Sequence, residues 1–202
     1  MTNRRQFIRS GVALSVVSSP ALSAFPGVAF ATAATTLGLE HCVFDNRFAF
    51  AVAVAQHAAR AGVRPAETSG DLTALWYDRL DLEWTRTPTA LGGVTTQPGL
   101  FVLETLAADY GMRVIYRGRH GVPEDGVIAH SLTGPAALVA QLCAGSRAPD
   151  CARRLADAMT QCPIGAAAVQ REFTTPAEPA VTHSEPLFSW IIAPRFAAAR
   201  TA

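Results

Sequence analysis

From residue 39 onwards, short apolar runs alternate with longer stretches in which apolar residues recur at helical spacing. The short runs predict strands, and the helical spacing predicts amphipathic helices between them. The predicted strands are 39–45, 63–69, 89–94 and 112–118, and the predicted helices are 46–62, 72–84 and 97–110. This alternation is typical of the α/β class, in which helices cover both faces of a mainly parallel sheet.

The remaining pattern completes one domain over 39–196. Two more helices are predicted, one over 135–144 and one from about 149 to 161. Two later apolar runs, AAAVQREF and LFSWIIAP, flank a proline-rich stretch, and we expect them to form an antiparallel hairpin at one edge of the sheet. Neither an internal repeat nor a second domain boundary is visible in the sequence.

The first 31 residues have the organisation of an export signal. They contain basic residues and no acidic ones, and their apolar run is interrupted by serines and a proline. This run is shorter than the roughly 20 apolar residues that span a membrane. We therefore expect a cleaved signal at 1–31, a short linker at 32–38, and no transmembrane helix in the mature chain.

The sequence around Arg4, Arg5 and Phe7 closely resembles the twin-arginine (Tat) export motif. Ala29 and Ala31 supply an A-x-A cleavage site. The resemblance implies that the chain crosses the membrane already folded and is periplasmic or secreted. It also implies the Tat translocase and a signal peptidase as partners, and it raises the expectation of a cofactor or a larger redox subunit without identifying either.

Composition excludes some classes of function. The 202-residue chain has a net charge of +1 and no basic stripe, which argues against binding of nucleic acid. Its four cysteines lack the close C-x2-C pairs of zinc or iron–sulfur sites, and we predict no metal ligands. In an oxidising compartment, Cys143 could form a disulfide with Cys151 or with Cys162, and the spacing does not choose between them. Cys42 is expected to be a buried thiol.

Candidate site residues follow from the rule that open α/β sheets bind ligands beyond the carboxyl ends of their strands. A strand order of 2-1-3-4 would place a crevice between the first and third strands, with Asp45 and Thr95 facing each other. Asp45 and His120 are the candidate acid–base residues. Asp45 is equally well placed to cap a helix, and His120 could be a solvated histidine in an exposed RGRHG turn.

The sequence GGVTT at 92–96 predicts a turn that opens the next helix, where free N–H groups favour a negative charge. Gly93, Thr95 and Thr96, together with Arg47, are therefore the predicted ligands of a small anion. The alternative is an ordinary capped helix start. The stretch lacks the glycine and lysine pattern of nucleotide-binding loops.

Three hypotheses on function remain open, and the sequence does not settle whether the protein is an enzyme. It could bind or act on a small anionic ligand, serve as the accessory subunit of an exported redox enzyme, or be an envelope protein without a pocket. If the protein is an accessory subunit, we expect its interface to be an exposed apolar surface around Phe188, Trp190 and Ile191, or around Trp76 and Trp84. Among the other histidines, His41 and His57 are expected to be structural, and His183 is expected to be exposed to solvent.

Overall fold

A computed structural model describes residues 36–144, 150–163, 167–177 and 183–195. Within these ranges, seven strands form one sheet in the order β2-β1-β3-β7-β4-β5-β6. The strands are β1 (His41–Asp45), β2 (Arg64–Thr68), β3 (Leu91–Thr96), β4 (Met112–His120), β5 (Val127–Pro135), β6 (Ala168–Pro176) and β7 (Leu187–Pro194).

The helices lie on both faces of this sheet. They are α1 (Ala49–Arg60), α2 (Thr73–Leu75), α3 (Asp81–Arg86), α4 (Gln97–Asp109), α5 (Ala136–Ala144) and α6 (Cys151–Thr160), and a π-helical turn, Trp76–Leu80, joins α2 to α3. Helices α1, α5 and α6 enclose one apolar core. The stretch from α2 to α3 and helix α4 enclose the other. The α/β class with helices on both faces is therefore confirmed.

The expectation of a mainly parallel sheet was wrong. Only β2, β1 and β3 pair in parallel, and the four remaining pairings among the described strands are antiparallel. Strand β7 makes two of these pairings, with β3 and β4, and the other two are made by β5. The sequence pattern did not reveal β5, which extends the sheet beyond β4. Its alternation of inward and outward residues is the period-2 signal of an antiparallel strand with one buried face.

The predicted C-terminal hairpin was also wrong. Strand β6 lies at the sheet edge and pairs with β5, whereas β7 lies between β3 and β4. The physical reason is the burial of β7, in which seven consecutive residues, 187–193, are buried. Such a continuous run suits a central strand that is covered on both faces, because an edge hairpin would alternate apolar and polar positions.

Gly92 and Gly93 lie inside β3 rather than in a turn, because the strand extends to Thr96. A Cβ atom on Gly93 would lie 2.2 Å from the carbonyl oxygen of Val43 and 2.9 Å from the Trp190 ring. Glycine at this position therefore lets β3 and its neighbours pack closely. The following helix, α4, begins at Gln97, the predicted residue.

The chain ahead of β1 is fixed to the domain. The N–H of Leu37 donates a hydrogen bond to the carbonyl of Cys162, and Thr36 forms a β-bridge with Pro163. The export signal and cleavage site predicted within 1–31 lie outside the described residues. Over the described ranges, no helix has the length and apolar character needed to cross a membrane.

Candidate functional site

A cavity of about 80 Å³ opens between the β4-β5-β6 part of the sheet and helices α1, α5 and α6. Its volume is several times the roughly 10–15 Å³ that admits one water molecule. Apolar side chains form most of its wall: Phe50, Ile128, Leu132, Leu142, Leu155 and Phe173. Its polar lining includes three histidines, one arginine and one threonine: His120, His130, His183, Arg154 and Thr175.

Strand periodicity places the histidines in this cavity. Alternate residues of a strand point to the same face, so Ile128, His130 and Leu132 of β5 share the inward face. His120, at the end of β4, lies directly opposite His130 in the antiparallel register. On the next strand, Phe173 pairs with His130 and stacks on its ring at a centroid distance of 4.9 Å.

Five polar side chains form a continuous hydrogen-bonded chain behind the cavity. Tyr116 Oη lies 3.0 Å from Ser189 Oγ, and Ser189 Oγ lies 2.8 Å from His120 Nε2. The two histidines meet through their Nδ1 atoms at 2.8 Å. His130 Nε2 completes the chain at 2.8 Å from Thr175 Oγ1. We call this set the polar chain.

Burial favours the neutral form of both histidines of the polar chain. Burial, together with the neighbouring His130 and His183, lowers the pKa of His120 to about 3. Burial and His183 lower the pKa of His130 to about 4. A neutral imidazole has one N–H and one lone pair, so the three bonds that the histidines make must run in the same direction, from Ser189 to Thr175 or the reverse.

Gly118 makes room for the polar chain. A Cβ atom at this position would lie 2.5 Å from Ser189 Oγ and 2.6 Å from Tyr116 Oη. The glycine in the RGRH sequence therefore serves the packing of a buried strand. The expectation of an exposed turn there was wrong, since β4 continues through His120 and that side chain is buried.

His183 and Arg154 carry the bonding capacity that remains in the cavity. His183 Nδ1 lies 2.7 Å from the carbonyl oxygen of Glu185, which can only accept, so Nδ1 donates and Nε2 is the ring nitrogen left for a ligand. Arg154 Nη2 donates to the carbonyl of Leu142 at 3.2 Å. Its Nη1 atom is buried and has no hydrogen-bond partner.

The other predicted acid–base residue, Asp45, lies in the parallel part of the sheet. Its buried carboxylate forms a bidentate ion pair with Arg47, at 2.9 Å to Nε and 2.6 Å to Nη2. This hydrogen bond raises the pKa of the Arg47 guanidinium. Asp45 does not cap α1, whose N-cap is Phe48.

The structure does not bring Asp45 and His120 together. Strands β3 and β7 lie between β1 and β4. Three interstrand spacings separate the two residues by about 14 Å, since neighbouring strands lie about 4.8 Å apart. The predicted order 2-1-3-4 had placed these strands closer, because it lacked β7.

The residues predicted to bind an anion at the start of α4 are buried in β3. Thr95 Oγ1 accepts a hydrogen bond from Trp190 Nε1 at 3.0 Å. Thr96 is the N-cap of α4 without a side-chain capping bond. The neighbouring groove includes Asp71, whose pKa is lowered by hydrogen bonds from Thr73. The negative charge of Asp71 disfavours an anion there.

The remaining histidines differ in part from expectation. His41 is buried and lies 2.6 Å from Glu83, and His57 contacts Arg60, so both take part in structural contacts. His183 was expected to be exposed, but only 9% of its surface is accessible because it packs against the cavity.

The apolar surfaces expected for a partner subunit are buried. Phe188, Trp190 and Ile191 belong to the central strand β7, and Trp76 and Trp84 pack in the core on the α4 face. Among the described residues, the large exposed hydrophobic side chains lie elsewhere: Tyr77, Leu82, Phe101, Val102, Val122 and Val127. The partner hypothesis thus loses the residues predicted to support it.

The cysteines form neither of the expected disulfides, because Cys143 has a free thiol. Burial raises the pKa of Cys42 to about 12 and that of Cys162 to about 11. Cys42 is the buried thiol that was expected.

His130 is one of the site residues that sequence reasoning missed, together with Tyr116, Arg154, Thr175 and Ser189. It occurs in VIAHSLTG, where it falls in phase with Ile128 and Leu132. A histidine on the apolar phase of an alternating strand points toward the core, and that pattern could have identified it.

No family model, curated protein or solved structure matches this chain. Among the described residues, no group of three or more histidine, cysteine, aspartate or glutamate side chains is placed to hold a metal ion. The side chains that line the cavity are therefore the guide to what it binds.

Proposed function

We propose that the protein binds a small, largely apolar molecule carrying an anionic group, in the cavity between β4-β5-β6 and helices α1, α5 and α6. The observation that carries the proposal is the unpartnered, buried Nη1 of Arg154 at the wall of this cavity. A buried donor without a partner costs about 1–3 kcal/mol, more when it is charged, and a bound carboxylate or phosphate would remove that cost.

The other groups at the wall suit the same kind of ligand. Aromatic and aliphatic side chains provide the apolar surface that small-molecule sites typically have. Thr175 and His183 add hydrogen-bonding groups that can orient a polar head. The anion expected from the sequence is retained in this proposal, but at a different place in the fold.

The geometry favours binding over nucleophilic catalysis. Ser189 and His120 are spaced like the nucleophile and base of a hydrolytic site. Ser189, however, is fully buried, and its side chain is not part of the cavity wall. A substrate in the cavity would therefore contact His120 and its neighbours rather than the Ser189 hydroxyl.

We further propose that this binding takes place outside the cytoplasm, after export by the Tat route. The proposal rests on the motif around Arg4 and Arg5. Substituting both arginines with lysine should retain the protein in the cytoplasm. Cell fractionation measures this, and unchanged export of the double variant would contradict it.

The binding proposal is tested by isothermal titration of the purified protein with a series of small aliphatic and aromatic carboxylates and with inorganic phosphate. R154A should weaken the tightest of these ligands about 10- to 100-fold, because a charge-assisted hydrogen bond contributes about 1.5–3 kcal/mol. R153A is the matched control, since Arg153 on the same helix is exposed and pairs with Asp150 and Asp157.

Two results would overturn the binding proposal. One is equal affinity of R154A and R153A for every anion, when circular dichroism shows that both are folded. The other is the absence of saturable binding of any tested anion to the wild-type protein.

A further inference from the structure

The direction of the hydrogen bonds in the polar chain decides what Thr175 offers to a molecule in the cavity. Between Ser189 and Thr175, the two neutral imidazoles allow two arrangements. In the outward arrangement, each group donates to its neighbour on the side of Thr175. In the inward arrangement, each group donates to its neighbour on the side of Tyr116. The two arrangements leave an unused hydrogen atom at opposite ends of the chain.

The outward arrangement satisfies every donor in the protein interior. Tyr116 Oη donates to Ser189 Oγ, and Ser189 Oγ donates to His120 Nε2. His120 Nδ1 then donates to His130 Nδ1, and His130 Nε2 donates to Thr175 Oγ1. The hydroxyl hydrogen of Thr175 is the one that remains, and Thr175 lines the cavity.

The inward arrangement leaves a hydrogen atom unused at the closed end of the chain. Thr175 then donates to His130 Nε2, and His120 Nε2 donates to Ser189 Oγ. Ser189 and Tyr116 have two hydroxyl hydrogens but share a single contact, and within the described ranges neither has another acceptor. Both side chains are fully buried. A buried hydroxyl without an acceptor is costly, whereas a bound molecule can satisfy a donor at the cavity wall.

We propose that the polar chain keeps the outward arrangement and thereby makes Thr175 a hydrogen-bond donor to the bound molecule. The ligand then places an acceptor atom against the Thr175 hydroxyl. A carboxylate or phosphate oxygen only accepts and matches this donor, whereas an ammonium group only donates and does not. Thr175 is thus a specificity-determining residue of the cavity, in addition to Arg154.

Aromatic contacts keep the two imidazole rings in place for this role. His130 stacks on Phe173 at a centroid distance of 4.9 Å, and the edge of His120 meets Phe50 at 6.0 Å. A threonine hydroxyl can ordinarily rotate and either donate or accept. Here the N–H of His130 occupies its acceptor side, so the donor is oriented before a ligand arrives. Such preorganisation lowers the entropic cost of binding.

The selection of an anion by Thr175 rests on the proposed function, but the direction of the polar chain is measured without a ligand. The full-length protein is labelled with ¹⁵N-histidine, and the tautomer of each ring is determined at neutral pH from its ¹⁵N chemical shifts. We expect hydrogen on Nδ1 of His120 and on Nε2 of His130. Loss of one set of signals in H120Q, and of another in H130Q, assigns the two rings.

Binding is then measured with the anion of the carboxylate and phosphate series that the wild-type protein binds most tightly. T175V should weaken this binding about 10-fold, because one hydrogen bond to a charged group is lost. T175S keeps the hydroxyl and should restore most of the affinity. R154A should lose the anion but keep both tautomers, since Arg154 bonds to Leu142 and not to the polar chain.

Two results would overturn the proposal. One is hydrogen on Nε2 of His120 and on Nδ1 of His130, which is the inward arrangement. The other is equal anion affinity of wild-type protein and folded T175V. The expected tautomers, with no anion bound by the wild-type protein, would support the donor role of Thr175 and overturn the proposed function. Weaker binding in T175V with unchanged binding in R154A would support Thr175 and overturn the role of Arg154.

Discussion

The two halves of the sheet use their buried polar side chains in opposite ways. In the parallel half, Asp45 pairs with Arg47 and Thr95 with Trp190. Two buried nitrogens of that half also have no partner, but neither lines the cavity: His41 Nδ1 and Trp84 Nε1. In the antiparallel half, the polar chain reaches a cavity in which Arg154 has an unpartnered nitrogen. The topology rule therefore indicates the first half, whereas unused bonding capacity beside a cavity indicates the second.

If this comparison is correct, substitutions in the parallel half should cost stability, and those around the cavity should change binding. The largest effect on stability is expected from G93A. The added methyl group would lie 2.2 Å from a backbone oxygen, which cannot move without separating β1 from β3. Overpacking usually costs about 1–3 kcal/mol, and this contact should reach or exceed the upper value.

Urea unfolding measures the effect of G93A. G62A is the control, because its Cβ meets no atom within 4 Å and only the positive φ of +88° adds strain. Its cost should be about 1 kcal/mol. Equal unfolding midpoints for the two variants would contradict the close packing inferred for β3.

The second prediction concerns how the free energy of unfolding depends on pH, and it applies to the half of the sheet that contains the cavity. His120 and His130 have pKa values of about 3 and about 4 in the folded protein, below the usual 6.5. As the pH falls below 6.5, the unfolded chain takes up protons first, so stability is complete above this pH and decreases towards pH 4. Each histidine contributes up to about 1.4 kcal/mol per pH unit in this window.

Urea unfolding between pH 7 and pH 4.5 measures this slope. H130Q should reduce the slope relative to H57Q, because it removes one buried group that resists protonation. If the free energy of unfolding of H130Q and of H57Q depends on pH with the same slope, the buried pair of histidines does not control the acid sensitivity of the fold.

The third and smallest prediction is that D45N lowers stability without affecting the cavity. It removes the charge that pairs with Arg47 and leaves a buried amide, at a cost of about 1–3 kcal/mol. Anion affinity should remain within about twofold, since strand spacing puts about 14 Å between Asp45 and His120. A tenfold loss of affinity in folded D45N would restore Asp45 as a functional residue.

Local signals predicted the parallel half well. The helical period of 97–110 matches α4 to within one residue at its C-terminal end, and Pro98 lies in its first turn. The apolar run before Asp45 matches β1. These elements form from neighbouring residues in the sequence, so composition and period contain the necessary information.

The cavity half depends on contacts that are distant in sequence. The polar chain joins Tyr116 of β4 to Ser189 of β7, and His130 of β5 to Thr175 of β6. Strand order decides these contacts, and the position of β7 was not predicted because its apolar run was assigned to an edge hairpin. His120 alone looked like an exposed loop histidine until its neighbours on β5 and β7 were known.

The position of β7 has a consequence for how the chain is made. This strand emerges from the ribosome after the other six strands, yet it lies between β3 and β4 at the centre of the sheet. Until residues 187–194 are available, β3 and β4 each expose an unpaired edge, which is a template for aggregation. Completion of the sheet thus waits until β7 has been synthesised, and a product truncated before this strand would lack the element that joins β3 to β4.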